Sequence, residues 1–163
     1  MKISEFIKNP KNFLVYCGNA GIGKTHLAAA LVEFGLTKFN SFRYWHEGDL
    51  LKKVRASIDE YKNSDYLDCL NYLIDDEFII LDDIGSSGLT EWRKEILFEA
   101  IDFRYCSMLP TVIITNFSKK EIRSLYHERL ASRIFATENI VIEIHDGPDL
   151  RQKEEKNDRN TEA

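Results

Sequence analysis

Residues Gly18, Asn19, Ala20, Gly21, Ile22, Gly23, Lys24 and Thr25 follow the spacing G-x-x-x-x-G-K-[ST]. The chemistry that needs this pattern is capture of a polyphosphate. Glycines let backbone N–H groups turn toward the anion with no Cβ in the way, and a helix opening at the loop adds the partial positive charge of its N-terminus. Lys24 is placed to reach the β- and γ-phosphates and the Thr25 hydroxyl to ligate Mg²⁺, so ATP and Mg²⁺ are the expected ligands. Further along, Asp82 and Asp83 close one apolar run and Asn116 closes another. At the carboxyl ends of parallel strands all three would join the loop. Asp82 then suits a metal carboxylate acting through the metal's waters, and Asp83 a group that orients or deprotonates an attacking water. Asn116 would hold that water or sense the γ-phosphate. Each also has a plainer account: two acids can end a strand and cap a turn, and Asn116 can form an Asx turn before Ser118.

The elements that must position these groups are legible in the apolar pattern. Residues 13–17 read as a buried strand ahead of the glycine loop, with a helix from Thr25 to about Phe39 behind it. A short helix over residues 3–8, ended by Pro10, precedes them. Residues 41–47 are aromatic enough for a second strand, and residues 49–61 form a helix. On that helix Leu50, Leu51, Val54 and Ile58 share one face, and Lys52, Lys53 and Arg55 lie off it. A further short helix is expected over residues 65–73. Residues 78–81 have the wholly apolar character of a strand covered on both sides, and residues 111–115 read as the next buried strand. Thr90 caps a helix over residues 91–108, and Ser118 with Glu121 forms a capping box for one over residues 121–126. Helix is expected to continue over residues 127–135, and residues 139–144 form a last strand. Strands alternating with helices imply a parallel sheet of about five strands with helices on both sides.

Composition narrows the setting. The chain has 163 residues, 44% of them hydrophobic and 12% aromatic, which suits one folded domain. A net charge of −5 argues against a polybasic nucleic-acid binder, so any contact with DNA must be local. Cys17, Cys69 and Cys106 are widely spaced, as are His26, His46, His127 and His145, and neither set suggests a disulfide framework or zinc site. No apolar run reaches the length of a membrane span and no secretory leader is evident, so a cytoplasmic protein with no membrane partner is expected. Residues 151–163 are almost entirely polar and are expected to be a disordered tail.

The ordered series G-N-A-G-I-G-K-T-H-L-A-A-A, F-I-I-L-D-D-I-G, V-I-I-T-N, E-R-L-A-S-R and G-P-D-L-R resembles the AAA+ ATPases of the bacterial helicase-loader group. These are the DnaC-like, DnaI-like and IstB-like proteins, and the resemblance runs from about residue 13 to 151. It implies a three-layer P-loop NTPase with the AAA+ core, a five-stranded parallel sheet in the order 5-1-4-3-2, filling residues 1–150. By the same match, residues 18–25 are Walker A, with His26 continuing the nucleotide-binding stretch. Asp82 is the Mg²⁺ residue, Asp83 the catalytic acid where many AAA+ proteins have glutamate, and Asn116 sensor 1. Arg133 matches the arginine finger, with Arg129 one helical turn away as runner-up, and Arg151 matches sensor 2. A finger acts on a neighbour's γ-phosphate, so self-association into a spiral or ring is implied.

The resemblance also implies single-stranded DNA bound by a helical insert after the second strand and by loops near the acidic pair. Those regions carry Lys52, Lys53, Arg55, Tyr61 and Lys62, then Thr90, Trp92, Arg93 and Lys94. Tyr61 and Trp92 would serve as stacking platforms, or simply finish helix packing. Loaders carry an extra N-terminal domain that grips the replicative helicase, and here about a dozen residues precede the first strand. The expected partner is a replicative helicase or a host loader, reached through another surface or chain or by a trimmed form. Four functions compete: a helicase-loader-like ATPase in replication, an IstB-like helper of transposition, a non-catalytic nucleotide switch or decoy, and a small-molecule kinase. The kinase would need a lid and an acceptor pocket that no residue identifies.

Overall fold

The computed structural model describes residues 2–60, 70, 71, 74–86, 88 and 90–144. Tyr61, Lys62, Arg151, most of the helix expected over residues 65–73 and the tail from residue 151 lie outside them. The elements run α1 (Lys2–Lys8), β1 (Phe13–Gly18), α2 (Lys24–Lys38), β2 (Phe42–His46), α3 (Glu47–Glu60) and β3 (Phe78–Ile84). They continue as α4 (Glu91–Cys106), β4 (Thr111–Thr115), α5 (Lys119–Leu125), α6 (Glu128–Ile134) and β5 (Ile140–Ile144). All pairings are parallel and the sheet order is β2-β3-β4-β1-β5, the implied 5-1-4-3-2 order read from the other edge.

Alternate residues of each central strand enter opposite layers, as the period of two demands. Leu14, Tyr16, Ile80, Val112 and Ile114 pack with Phe6 of α1 and Ala28 and Leu31 of α2. Phe13, Val15, Leu81 and Ile113 pack with Leu50 and Val54 of α3, Ile96 and Leu97 of α4, Ile122 of α5 and Leu130 of α6. The sheet is therefore covered on both faces, which is why residues 78–81 and 112–114 read as unbroken apolar runs.

Arg104 is fully buried on α4 and ties three segments together. It donates to the Thr111 hydroxyl at 2.7 Å and to the carbonyls of Ile74, Asp76 and Pro110 at 2.5, 2.8 and 2.8 Å. Burial lowers its pKa to about 9, against the opposing pull of Asp76 and Asp75, so it stays charged at neutral pH.

The structure departs from the sequence-based expectations at several junctions, among them the end of α4 at Cys106, not residue 108, and the start of α5 at Lys119, not residue 121. Helix does not continue from residue 126 into 127: Tyr126 and His127 are both extended, separating α5 from α6. The buried Tyr126 ring and its hydroxyl contact with Glu47 turn the chain inward there. α3 begins at Glu47, two residues earlier than expected, because that side chain is needed inside. β3 extends through the acidic pair to Ile84.

Candidate active site

The site is assembled at the carboxyl ends of β1, β3 and β4, where a parallel sheet of this kind presents ligands. Gly23, the N-cap of α2, has φ +86, a left-handed turn that lets the loop run straight into the helix. Ala20, Gly21, Gly23, Lys24, Thr25 and His26 line one wall of a cavity of about 460 Å³, and His46, Asp82, Asp83 and Asn116 line the rest. The Lys24 ammonium donates to the carbonyls of Gly18 and Asn19 at 2.7 and 2.6 Å. It thus arches over its own loop, and a phosphate would compete for those bonds with the advantage of full charge. Ile22 sits between the glycines, its carbonyl accepting from the Tyr16 hydroxyl at 3.4 Å.

The acidic pair is aimed by a bulge. β3 pairs with β4 up to Leu81 opposite Ile113 and resumes at Ile84 opposite Thr115, so an extra residue is accommodated between. Asp83 takes φ +58, a left-handed conformation that aspartate tolerates better than most residues. Its carboxylate accepts from the Asn116 amide at 2.8 Å and lies 3.8 Å from His46 Nε2. Asp82 accepts from the Tyr44 hydroxyl and, through Oδ1, from the Asp83 N–H at 2.8 Å. Burial, and then the bond to Asp82, raises the Tyr44 pKa and keeps that hydroxyl a donor. The Thr25 hydroxyl and two carboxylates on one cavity form a hard oxygen donor set, the kind Mg²⁺ takes together with phosphate oxygens.

Lys24, Thr25, His26, Asp82, Asp83 and Asn116 are thus brought together as their positions in the chain suggest. Tyr44 and His46 were missed by sequence reasoning. The available signal was that a second parallel strand over residues 41–47 sends its last residues to the same rim as the acidic pair; the register that sets His46 opposite Asp82 came only with the structure.

Arg133 lies outside that lining. Its Nε donates to Asp102 of α4 at 2.6 Å and its guanidinium sits 4.9 Å from the Tyr105 ring centroid. Arg129, on the same face of α6, stacks over Phe98 at 4.4 Å. The candidate DNA residues fall partly together. Lys52 and Arg55 of α3 face Thr90, Trp92 and Arg93 at the start of α4 across an open groove of about 650 Å³. Lys53 is exposed on α3 outside that lining, and Lys94 is paired with Glu91 at 2.8 Å.

A family model described as IstB-like ATP binding protein matches residues 1–141. The replicative helicase loader DnaC of Escherichia coli (strain K12) is 29% identical over 134 residues, or 81% of this chain and 53% of DnaC. The chain spans about half the length of the curated relatives it matches. A crystal structure of the DnaC helicase loader has a TM-score of 0.70 at 28% identity, covering 86% of this chain and 85% of that one. The replication initiator DnaA bound to AMPPCP and single-stranded DNA has a TM-score of 0.76 at 19% identity, covering 98% and 50%, a likeness of fold alone.

Proposed function

The chain belongs to the family of IstB-like ATP binding proteins and has the AAA+ P-loop fold, and from that premise we propose that it is a helicase-loader-like ATPase of DNA replication. It binds ATP at residues 18–25 and hydrolyses it when assembled on single-stranded DNA. The observation that carries this reading is the convergence of Lys24, Thr25, Asp82, Asp83 and Asn116 on one cavity. A Mg²⁺ ion held by Thr25 and, through water, by Asp82 would offset charge on the β- and γ-phosphates. Lys24 and the backbone N–H groups of the loop bind and orient those phosphates. Asp83 takes the proton of the attacking water, and Asn116 holds its carboxylate in place. Tyr44 keeps Asp82 turned toward the cavity.

Arg133 acts on the γ-phosphate of a neighbouring copy, so turnover requires assembly. The groove between α3 and α4 takes the DNA backbone on Lys52 and Arg55, with Trp92 as a base platform. A replicative helicase is the partner this reading implies. A second reading is favoured by the bond between Arg133 and Asp102: a nucleotide switch that binds ATP, hydrolyses little and joins a host assembly.

ATP turnover of the purified chain, measured against protein concentration with and without single-stranded DNA, separates them. A rate per chain that climbs with both supports the assembling ATPase. Flat, negligible turnover alongside measurable ATP binding supports the switch.

A further inference from the structure

Glu47 opens α3 directly after β2, yet it has no exposed surface. Its carboxylate reaches into the molecule, where the Gly85 N–H donates to Oε2 at 2.8 Å and the Tyr126 hydroxyl to Oε1 at 3.3 Å. These two partners belong to different working parts. Gly85 follows the bulged acidic pair, and its backbone at φ +98 is pressed against Phe117, whose ring would lie 2.6 Å from any added Cβ. Phe117 is the neighbour of Asn116, which holds Asp83. Tyr126, on the other side, is the residue where α5 stops and the chain turns into α6 with Arg129 and Arg133.

We propose that Glu47 is a positioning residue that couples the backbone behind Asp82 and Asp83 to the orientation of α6 and its two arginines. The coupling rests on the reading of the adjoining cavity as a nucleotide site. A carboxylate in a water-excluded position holds its donors more firmly than an exposed one, and neither donor can move alone without leaving a buried polar group unsatisfied. Any shift of Asp83 or Asn116 that follows the γ-phosphate therefore moves Gly85 and is passed to Tyr126 instead of being absorbed by solvent. Glu47 itself touches no reacting atom.

Hydrogen–deuterium exchange of the full chain, alone and with ATP and Mg²⁺, tests this. In the parent protein ATP is expected to change exchange both at residues 18–25 and 82–85 and at residues 128–134. Tyr126→Phe keeps the buried ring and removes only the hydroxyl. It should bind ATP as before and keep the response at residues 18–25, but lose it at residues 128–134. A merely structural bond would instead raise exchange in α6 equally with and without ATP, leaving the difference intact. That result, or a parent protein that binds ATP with no response in α6, overturns the coupling. Failure of the parent protein to bind ATP overturns the nucleotide-site reading and the coupling with it. Glu47→Gln, which retains an acceptor for the Gly85 N–H, should weaken the α6 response while sparing residues 82–85. Should that variant fold poorly, Tyr126→Phe still decides.

Discussion

In the proposed reading Lys24, Asp83 and Arg133 carry three separable tasks, and single substitutions tell them apart. Lys24→Ala removes the charge proposed to meet the phosphates, together with its bonds to the Gly18 and Asn19 carbonyls, and should abolish ATP binding in a fluorescent-nucleotide titration. Asp83→Asn keeps the size of the side chain and its contact with Asn116 but removes the base. Nucleotide affinity should persist while turnover falls by about 10² to 10⁴. Arg133→Ala should also bind ATP normally and lose about 10³ or more in rate. If Arg133 serves a neighbour, as proposed, mixing Arg133→Ala with Asp83→Asn should restore part of the activity neither has alone. No recovery in the mixed ATPase assay would sink the trans assignment. The present partner of Arg133 is Asp102 of its own chain, so an assembling neighbour must outcompete a 2.6 Å ion pair.

At the scale of elements, the site depends on two irregularities that hydrogen bonds hold in place. The bulge in β3 is stitched to β4 by the Thr115 hydroxyl, which donates to the Ile84 carbonyl at 2.7 Å and accepts from the Phe117 N–H at 3.1 Å. The break between α5 and α6 follows from burying Tyr126, whereas the capping box of α5, in which Ser118 accepts from the Glu121 N–H, was legible although the helix opens at Lys119 and not at residue 121. The other end of the sheet is secured by Arg104. Arg104→Met would strand the carbonyls of Ile74, Asp76 and Pro110, and should cost about 3–5 kcal/mol in a urea unfolding curve. A loss under 1 kcal/mol would mean that water replaces the guanidinium there.

Across the whole molecule, an acidic chain presents a local basic groove where α3 meets α4. Each phosphate neutralised on single-stranded DNA contributes about 0.7 to the slope of log affinity against log salt. Replacing Lys52 and Arg55 together by alanine should therefore weaken binding and flatten that slope by about 1.4, measured by anisotropy over a salt series. An unchanged slope would remove the groove from the DNA path. No helix among the described residues is long and apolar enough to cross a membrane.

The order of strands and helices, the glycine loop and the acidic pair were legible in the chain because local rules govern them. Apolar period distinguishes strand from helix, capping residues mark helix starts, and a parallel sheet sends its ligands to the carboxyl ends. Tyr44, His46 and Glu47 were not legible as site residues. Tyr44 and His46 sit among aromatic and polar neighbours on an edge strand, and Glu47 looked like the polar end of it. Their meaning comes from partners 37 to 79 residues away, Asp82, Asp83, Gly85 and Tyr126. Which residues meet across such separations depends on the register of β2 against β3 and on the turn between α5 and α6. No local pattern encodes either, because both arise only when the sheet closes and the helices pack onto it.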